Sequence, residues 1–282
     1  MLSKIIYSDS RAILEITSRC NFACKYCYCL WHEKGYPISE ELTTDEWIEV
    51  LHILKKSGVK SVSLTGGEPL LKEGFWQILE ESTILFGARN TSFYSNASLL
   101  SKDSLVCIKE LGVTFATSLQ GLSTAEEITG RKDSFKHTLK TIEMASDLGI
   151  CVFCGCTPTS INKNEIVDML SAVSYAGADV VRCSVLLMGG RTRQNKYLSI
   201  SKEEWESIKN QVRELPINCE ITEEFECSCN NQMESENCNA GKTYFVVDPF
   251  GNVRKCLHSS FIFGNIFNLK KGAYNEKRKS YK

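Results

Sequence analysis

No stretch of this 282-residue chain is apolar for long enough to cross a bilayer. Apolar runs such as Val185 to Met188 fall far short of the ~20 residues a spanning helix needs. Met1 to Arg11 lacks the apolar core of a secretory signal, so no membrane partner and a cytoplasmic location are expected. Charge of one sign is also lacking. Lys and Arg number 33 against 34 Asp and Glu, for a net charge of -1. No basic stripe interleaved with aromatics occurs, which argues against nucleic acid as a partner. The four histidines, His32, His52, His137 and His258, show no Cys/His or H-E-x-x-H spacing, and surface or helix-face positions account for them. No cysteine follows Cys256.

Elsewhere cysteine is plentiful, with fourteen in all. In a small secreted chain they would suggest a disulfide framework, but in a long chain without a signal metal or redox use is expected. They cluster: four lie between Cys20 and Cys29, three between Cys151 and Cys156, and four between Cys227 and Cys256. Cys20, Cys24 and Cys27 form a C-x3-C-x2-C triplet. Three thiolates this close can hold three irons of a [4Fe-4S] cube, whereas a closed cluster takes four cysteines. The fourth iron is then open to a second molecule, as an open zinc site is. A zinc knuckle or a set of buried thiols is the plainer reading of the same residues.

The length suits one large α/β domain of about 200 residues with an appendage. Strand patterns are expected at Ala12 to Thr17, Lys60 to Thr65, Thr91 to Ser95, Val113 to Leu119, Ile150 to Thr157 and Asp179 to Leu186. Helical patterns lie between them, the first opened by the capping sequence Thr43-Thr44-Asp45-Glu46. Six strands alternating with helices predict a parallel sheet of right-handed crossovers, a partial (β/α)6 TIM-like barrel. Chemistry in such barrels sits at the C-terminal ends of the strands. The cysteine triplet, Thr65-Gly66-Gly67-Glu68-Pro69, Ser95-Asn96 and Ser118 all fall at that edge.

The triplet, with Tyr26 before its last cysteine, resembles the C-x3-C-x-aromatic-C loop of radical S-adenosylmethionine (SAM) enzymes. The resemblance implies a [4Fe-4S] cluster on Cys20, Cys24 and Cys27, whose open iron is chelated by the amino and carboxylate groups of SAM. The reduced cluster of such enzymes cleaves SAM to a 5′-deoxyadenosyl radical, which takes a hydrogen atom from the substrate. Gly66-Gly67-Glu68-Pro69 is similar to the segment that binds the SAM ammonium, with Glu68 its polar partner. The missing side chains of Gly66 and Gly67 allow close backbone approach, although the same residues could be an ordinary turn. Asn96 stands where relatives often carry Thr-Asn-Gly. Thr117-Ser118-Leu119-Gln120-Gly121, followed by Arg131, Ser134 and Phe135, resembles a run of peptide-modifying members, the sulfatase-maturing enzymes and the pyrroloquinoline quinone maturase among them. By that likeness Ser118 and Arg131 contact the SAM ribose or carboxylate, and the forked donors of arginine suit a carboxylate. Gln120 replaces the usual aspartate.

The C-terminal region carries a second signature. Cys238, Gly251 and Cys256 are spaced C-x12-G-x4-C, and Asp248-Pro249-Phe250-Gly251 reads as a tight turn between strands. This resembles the opening of the SPASM or twitch domains that hold auxiliary clusters in peptide-modifying radical SAM enzymes. The absence of later cysteines excludes a full SPASM set. One auxiliary [4Fe-4S] cluster is expected if Cys227 and Cys229 join Cys238 and Cys256. The expected organisation is a radical SAM core over residues 1–200, then a helix and a truncated SPASM/twitch-like domain over 201–282.

Cys154 and Cys156, two apart on a strand, share one face. They are either core thiols or hydrogen-atom donors to a product radical, and Cys183 is a weaker candidate for the second role. The implied partners are a peptide or protein substrate and an electron donor such as flavodoxin or ferredoxin. With 19 residues before Cys20, substrate recognition is expected from a separate protein, a loop or the C-terminal unit, and the lysine-rich stretch from Lys270 to Lys282 could dock an acidic peptide. The competing readings are a radical SAM dehydrogenase or cyclase acting on a small molecule, and a noncatalytic iron-sulfur or zinc module. Two clusters predict about eight irons per chain after anaerobic reconstitution, and a count near four leaves only the barrel cluster.

Overall fold

The computed structural model describes residue 6 and residues 9–222 and 239–269 of the chain. Strands β1 (Arg11–Glu15), β2 (Ser61–Thr65), β3 (Thr91–Tyr94), β4 (Thr114–Leu119), β5 (Val152–Cys156) and β6 (Val180–Cys183) pair in chain order, all parallel. Helices α1 (Thr44–Lys56), α2 (Phe75–Phe86), α3 (Lys102–Leu111), α4 (Ala125–Thr129), α5 (Ser134–Asp147), α6 (Ile166–Tyr175), α7 (Arg191–Gln194) and α8 (Lys202–Arg213) lie between or after them. The fold is α/β and of the partial-barrel kind expected.

The parallel run is longer than six strands. β7 (Cys219–Ile221) adds parallel to β6, and β8 (Tyr244–Val247) adds parallel to the free edge of β1. β9 (Asn252–Arg254) and β10 (Ile262–Asn265) continue antiparallel, so the described residues form one ten-stranded sheet ordered β10-β9-β8-β1-β2-β3-β4-β5-β6-β7. β7 has three residues and no alternation long enough to read. β8 reads as one arm of a hairpin, and nothing local signals that its other edge meets β1. The turn between β8 and β9 is as expected: Gly251 has φ +82° and its N–H donates to the Asp248 carbonyl at 3.0 Å.

Local chemistry sets the helix starts. The Thr43 side chain accepts from Glu46 N at 3.2 Å while the Glu46 carboxylate accepts from Thr43 N at 2.7 Å, a capping box worth about 1 kcal/mol. Ser201 and Glu204 form a second capping box at α8, and Ser101 caps α3 by accepting from Ser104 N. Because side chains alternate along a strand, each strand offers one face to the helices. Leu14, Leu64, Phe93, Phe115, Val152, Cys154, Cys156, Val181 and Cys183 form that face, packed in one core with Trp47, Ile78, Leu105, Ile142, Met169 and Trp205. Arg11, Ser63, Ser92, Tyr94, Ser118, Phe153 and Arg182 alternate with them and line the opposite face.

One buried ion pair reaches across β8 to join the first strand of the chain to the C-terminal hairpin. Glu15 at the end of β1 and Arg254 at the end of β9 pair with each other, and both are fully buried. Arg254 Nη1 also donates to the carbonyls of Cys256 and Leu257 at 3.2 and 3.1 Å. The Tyr36 hydroxyl donates to Asp248 Oδ2 at 2.6 Å, and its ring lies 5.8 Å from the Arg254 guanidinium. Burial pushes the Glu15 carboxyl up to about 7, outweighing the attraction of Arg254. Removing one member leaves the other buried and uncompensated. Arg254→Met is therefore expected to lower the unfolding free energy by about 3–5 kcal/mol in a denaturant titration, and a loss below about 1 kcal/mol would contradict this reading.

Candidate active site

The three-cysteine loop leaves β1 at its C-terminal end. Ile16 N still donates to the Thr65 carbonyl at 2.8 Å, and beyond it Glu41 accepts from Ser18 N at 2.7 Å and from Thr17 Oγ1 at 2.9 Å. Cys20 is exposed and Cys24 and Cys27 are half-buried, all three as free thiols. Burial raises the Cys20 thiol and pushes Cys24 up to about 12, and the three thiols act on one another electrostatically. Cys27 is held well below its usual value, first by the neighbouring Cys29 and then, against desolvation, by His32. His32, half-buried at the end of the short 3-10 helix Leu30–His32, therefore stands beside a predicted ligand. A C-x4-H separation across an irregular loop carries no motif that could have revealed it.

The segment after β6 braces this loop. Gly190 has φ +54°, and a Cβ there would sit 2.4 Å from the Cys29 carbonyl and 2.6 Å from that of Cys27. Four consecutive loop carbonyls are then taken up. Arg191 Nη1 reaches that of Cys24 at 3.5 Å and Asn195 Nδ2 that of Lys25 at 2.9 Å. Thr192 Oγ1 donates to Tyr26 at 2.9 Å, and Arg191 N donates to Cys27 at 2.8 Å. On the other flank Ala23 N and Lys25 N donate to the carbonyls of Thr129 and Ile128 at the end of α4. Sequence reading missed the Gly189–Asn195 brace, whose only signal is a glycine pair after an apolar strand.

The glycine pair of β2 serves the same loop. A Cβ on Gly66 would lie 2.5 Å from the Thr17 carbonyl, and one on Gly67 2.1 Å from that of Arg19. Gly67 N and Glu68 N donate to those two carbonyls at 2.7 and 2.8 Å, and the Cys29 thiol donates to the Gly66 carbonyl at 3.5 Å. The close approach is thus to the cysteine loop itself. The fully buried Glu68 carboxylate accepts from Ser95 Oγ and Asn96 N at 2.8 Å each and from Leu70 N at 3.2 Å. Burial pushes its carboxyl up to about 7 against those bonds. The Asn96 side chain donates to Asn21 Oδ1 at 2.8 Å, tying the β3 rim to the loop between Cys20 and Cys24.

Ser118 ends β4 on the face away from the helices, and Gln120 Nε2 donates to its hydroxyl at 2.6 Å. Gln120 also acts on the buried Tyr26 hydroxyl, which it favours in the charged form, so Gln120 stands between the cysteine loop and β4. An amide at position 120 can donate to both hydroxyls, which a carboxylate cannot. Asn162 Nδ2 fixes the Gln120 carbonyl at 2.7 Å, and Glu165 accepts from Leu122 N at 2.8 Å. Arg131 is exposed at the C-terminal end of α4, and its guanidinium has no partner among the described residues.

Two groups of predicted residues lie apart from this rim. Cys154 and Cys156 are fully buried on the helix-packed face, as is Cys183 paired in register with Cys156. Ser118 and the uncovered face are on the other side of the sheet, so this placement gives the three thiols to the core rather than to a substrate. Cys256 is buried in the loop after β9 that Arg254 clasps. Cys227, Cys229, Cys238 and the Lys270–Lys282 stretch lie outside the described residues.

The pattern of the radical SAM superfamily matches residues 14–173, which run from within β1 to within α6 and include the cysteine loop, Gly66, Gly67, Glu68, Asn96, Ser118 and Arg131 but not the Gly189–Asn195 brace. The chain belongs to the radical SAM superfamily. It is 33% identical over 211 residues to the sporulation killing factor maturation protein SkfB of Bacillus subtilis, covering 74% of this chain and 50% of that protein. It is 28% identical to the antilisterial bacteriocin subtilosin biosynthesis protein AlbA of the same organism, covering 91% and 57%. A GTP 3',8-cyclase of Campylobacter fetus is 29% identical over 59% of this chain and 52% of its own. The chain thus spans about half the length of these relatives. In fold it is similar to Streptococcus suis SuiB bound to S-adenosylmethionine, with TM-score 0.68 and 17% identity over 89% of this chain and 60% of that one. It is likewise similar to anSMEcpe with bound AdoMet, with TM-score 0.67 and 16% identity over 91% and 78%.

Members of the family use a [4Fe-4S] cluster and SAM. The residues present fit the cluster: three free thiols stand on one loop whose carbonyls are already bonded elsewhere, leaving the sulfurs as its available donors. Among the described residues no three or more Cys, His, Asp or Glu converge on a single metal position. Thiolates that each hold a different iron stand around a cube and do not converge on one point. Gly67→Ala forces the Ser18 and Arg19 backbone that leads into Cys20 to move and is expected to lose most of the reconstituted iron, whereas Gly155→Ala, whose Cβ meets nothing closer than 3.9 Å, keeps it. Full iron in Gly67→Ala would show that the glycine contact is dispensable.

Proposed function

We propose that the chain is a radical SAM enzyme that modifies a residue of a peptide or protein, by thioether or carbon-carbon crosslinking, oxidation or epimerisation. The observation that carries this reading is the free-thiol loop braced at the C-terminal rim of the sheet, beside Ser118 and the Gly66-Gly67 segment. When bound, the cluster and SAM supply one-electron chemistry able to take a hydrogen atom from an unreactive carbon. Cys20, Cys24 and Cys27 hold the cluster. Tyr26, Gly66, Gly67, Glu68, Asn96, Ser118 and Arg131 hold SAM, with Glu68 using the lone pairs its structural bonds leave and Arg131 its unpaired guanidinium. The face lined by Tyr94, Phe153 and Arg182 is where a substrate lies next to Ser118.

The peptide assignment draws on SkfB and AlbA, whose names describe maturation of a killing factor and biosynthesis of a bacteriocin. The AlbA match covers 91% of this chain and so must include residues beyond the barrel, where the cyclase match covers 59%. Residues 1–200 carry the core reaction. Residues 201–282 bring one auxiliary [4Fe-4S] cluster on Cys227, Cys229, Cys238 and Cys256. Electrons come from a flavodoxin or ferredoxin, and a separate protein or the C-terminal unit recognises the peptide. The similarity to a GTP 3',8-cyclase favours, as a second reading, a small-molecule substrate.

Reconstituted protein given SAM and dithionite without oxygen is expected to form 5′-deoxyadenosine, and Cys24→Ala to reduce it to background. No 5′-deoxyadenosine from the wild type would leave a noncatalytic cluster module. Co-expression with short peptides encoded nearby, followed by mass spectrometry, is expected to show a mass change in a peptide. A change in a nucleotide or sugar instead would favour the second reading.

A further inference from the structure

The brace after β6 contains two arginines with different surroundings. Arg193 pairs with Glu33 at 3.0 Å and donates to the carbonyls of Met188 and His258, so its charge is compensated. Arg191 is half-buried, and no carboxylate pairs with it among the described residues. Its backbone N–H is committed to the Cys27 carbonyl at 2.8 Å, and its guanidinium makes one long contact, 3.5 Å to the carbonyl of Cys24. Among the described residues the remaining guanidinium donors have no protein acceptor.

Half-burying a cation without a counter-charge costs free energy unless a charge of opposite sign is supplied from elsewhere. The loop that Arg191 clasps holds three thiols, and as thiolates around a cluster they carry net negative charge that grows on reduction. We propose that Arg191 is the counter-charge of the cluster, held in place by its own backbone bond to Cys27, and that it raises the cluster's reduction potential. Lys25, the other cation on the loop, is paired with Glu127 at 3.0 Å and is not free for the role. Charge and hydrogen bonding near the sulfurs are among the protein's means of setting such potentials. Arg191 acts through the cluster and is thus a positioning and tuning residue.

The inference rests on the cluster assignment made above. Wild-type protein, Arg191→Gln, Arg191→Lys and Thr192→Ala are reconstituted without oxygen, their iron counted, and the reduced cluster followed by electron paramagnetic resonance in a redox titration without SAM. Thr192→Ala loosens the same loop by removing the bond to Tyr26 while leaving the charge. At a fixed potential Arg191→Gln is expected to show a roughly tenfold lower ratio of reduced to oxidised cluster, a shift of about 59 mV to more negative values. Arg191→Lys and Thr192→Ala are expected to stay within about threefold of wild type on the same scale. An Arg191→Gln variant with full iron and an unmoved potential overturns the proposal, and so does an equal shift in Thr192→Ala. If Arg191→Gln does not retain iron, retention by Arg191→Lys supports the counter-charge, and loss from both overturns it. A wild type that takes up no iron overturns the cluster assignment instead.

Discussion

A loop that must leave its sulfurs free for metal cannot satisfy its own backbone. Cys20 to Cys29 contains almost none of the internal hydrogen bonds that hold a helix or a strand pair, and unpaired buried carbonyls are costly. The rest of the molecule supplies the missing partners. Arg191, Thr192 and Asn195 take four consecutive carbonyls from one side, and α4 supplies acceptors for two N–H groups on the other. Gly66 and Gly67 give the Thr17–Arg19 backbone space that any side chain would occupy. The parallel sheet matters here because it brings the loops after β1, β2, β4 and β6 to one rim. A sheet of alternating direction would send half of them to the other end.

The strands and helices were legible because their signals are local. Alternation along β1 to β6, the Thr43 capping box and the glycine after α3 each act within a few residues, and each element formed where its pattern lay. Motif residues were legible as a set, since Cys20, Cys24, Cys27, Gly67, Glu68 and Ser118 all arrive at the same rim. What the sequence did not disclose are pairings between distant segments. The junction of β8 with β1, the contact of His32 with Cys27, and the bracing of the cysteine loop by residues some 165 positions later have no periodicity to announce them. The two glycines of β2 were read as making room for a ligand, and the structure gives that room first to the chain itself. Cys154 and Cys156 show a related limit: spacing fixes that they share a face, but the packing of the helices decides which face it is.

Polar residues that look catalytic in a sequence often have prior obligations in the fold. Glu68 is bonded to Ser95, Asn96 and Leu70, and Gln120 is bonded to Ser118 and held by Asn162. Each such bond fixes the direction of a rim group before any ligand arrives, which lowers the entropy lost on binding. The rim is therefore pre-ordered where the cofactor contacts are proposed, and among the described residues its free donors include the Arg131 and Arg191 guanidinium groups.

The pairing of β8 with β1 also bears on how such a protein could change over evolutionary time. Glu15 lies at the end of the strand that launches the cysteine loop, and Arg254 clasps the loop that carries Cys256. A C-terminal region attached only by a linker could be exchanged for another without disturbing the barrel. Here any replacement must bring both a strand that fits the edge of β1 and a cation that reaches Glu15. The relative position of the two cysteine loops is thus inherited as a unit, and it can drift only through paired substitutions on both sides of the sheet's first edge.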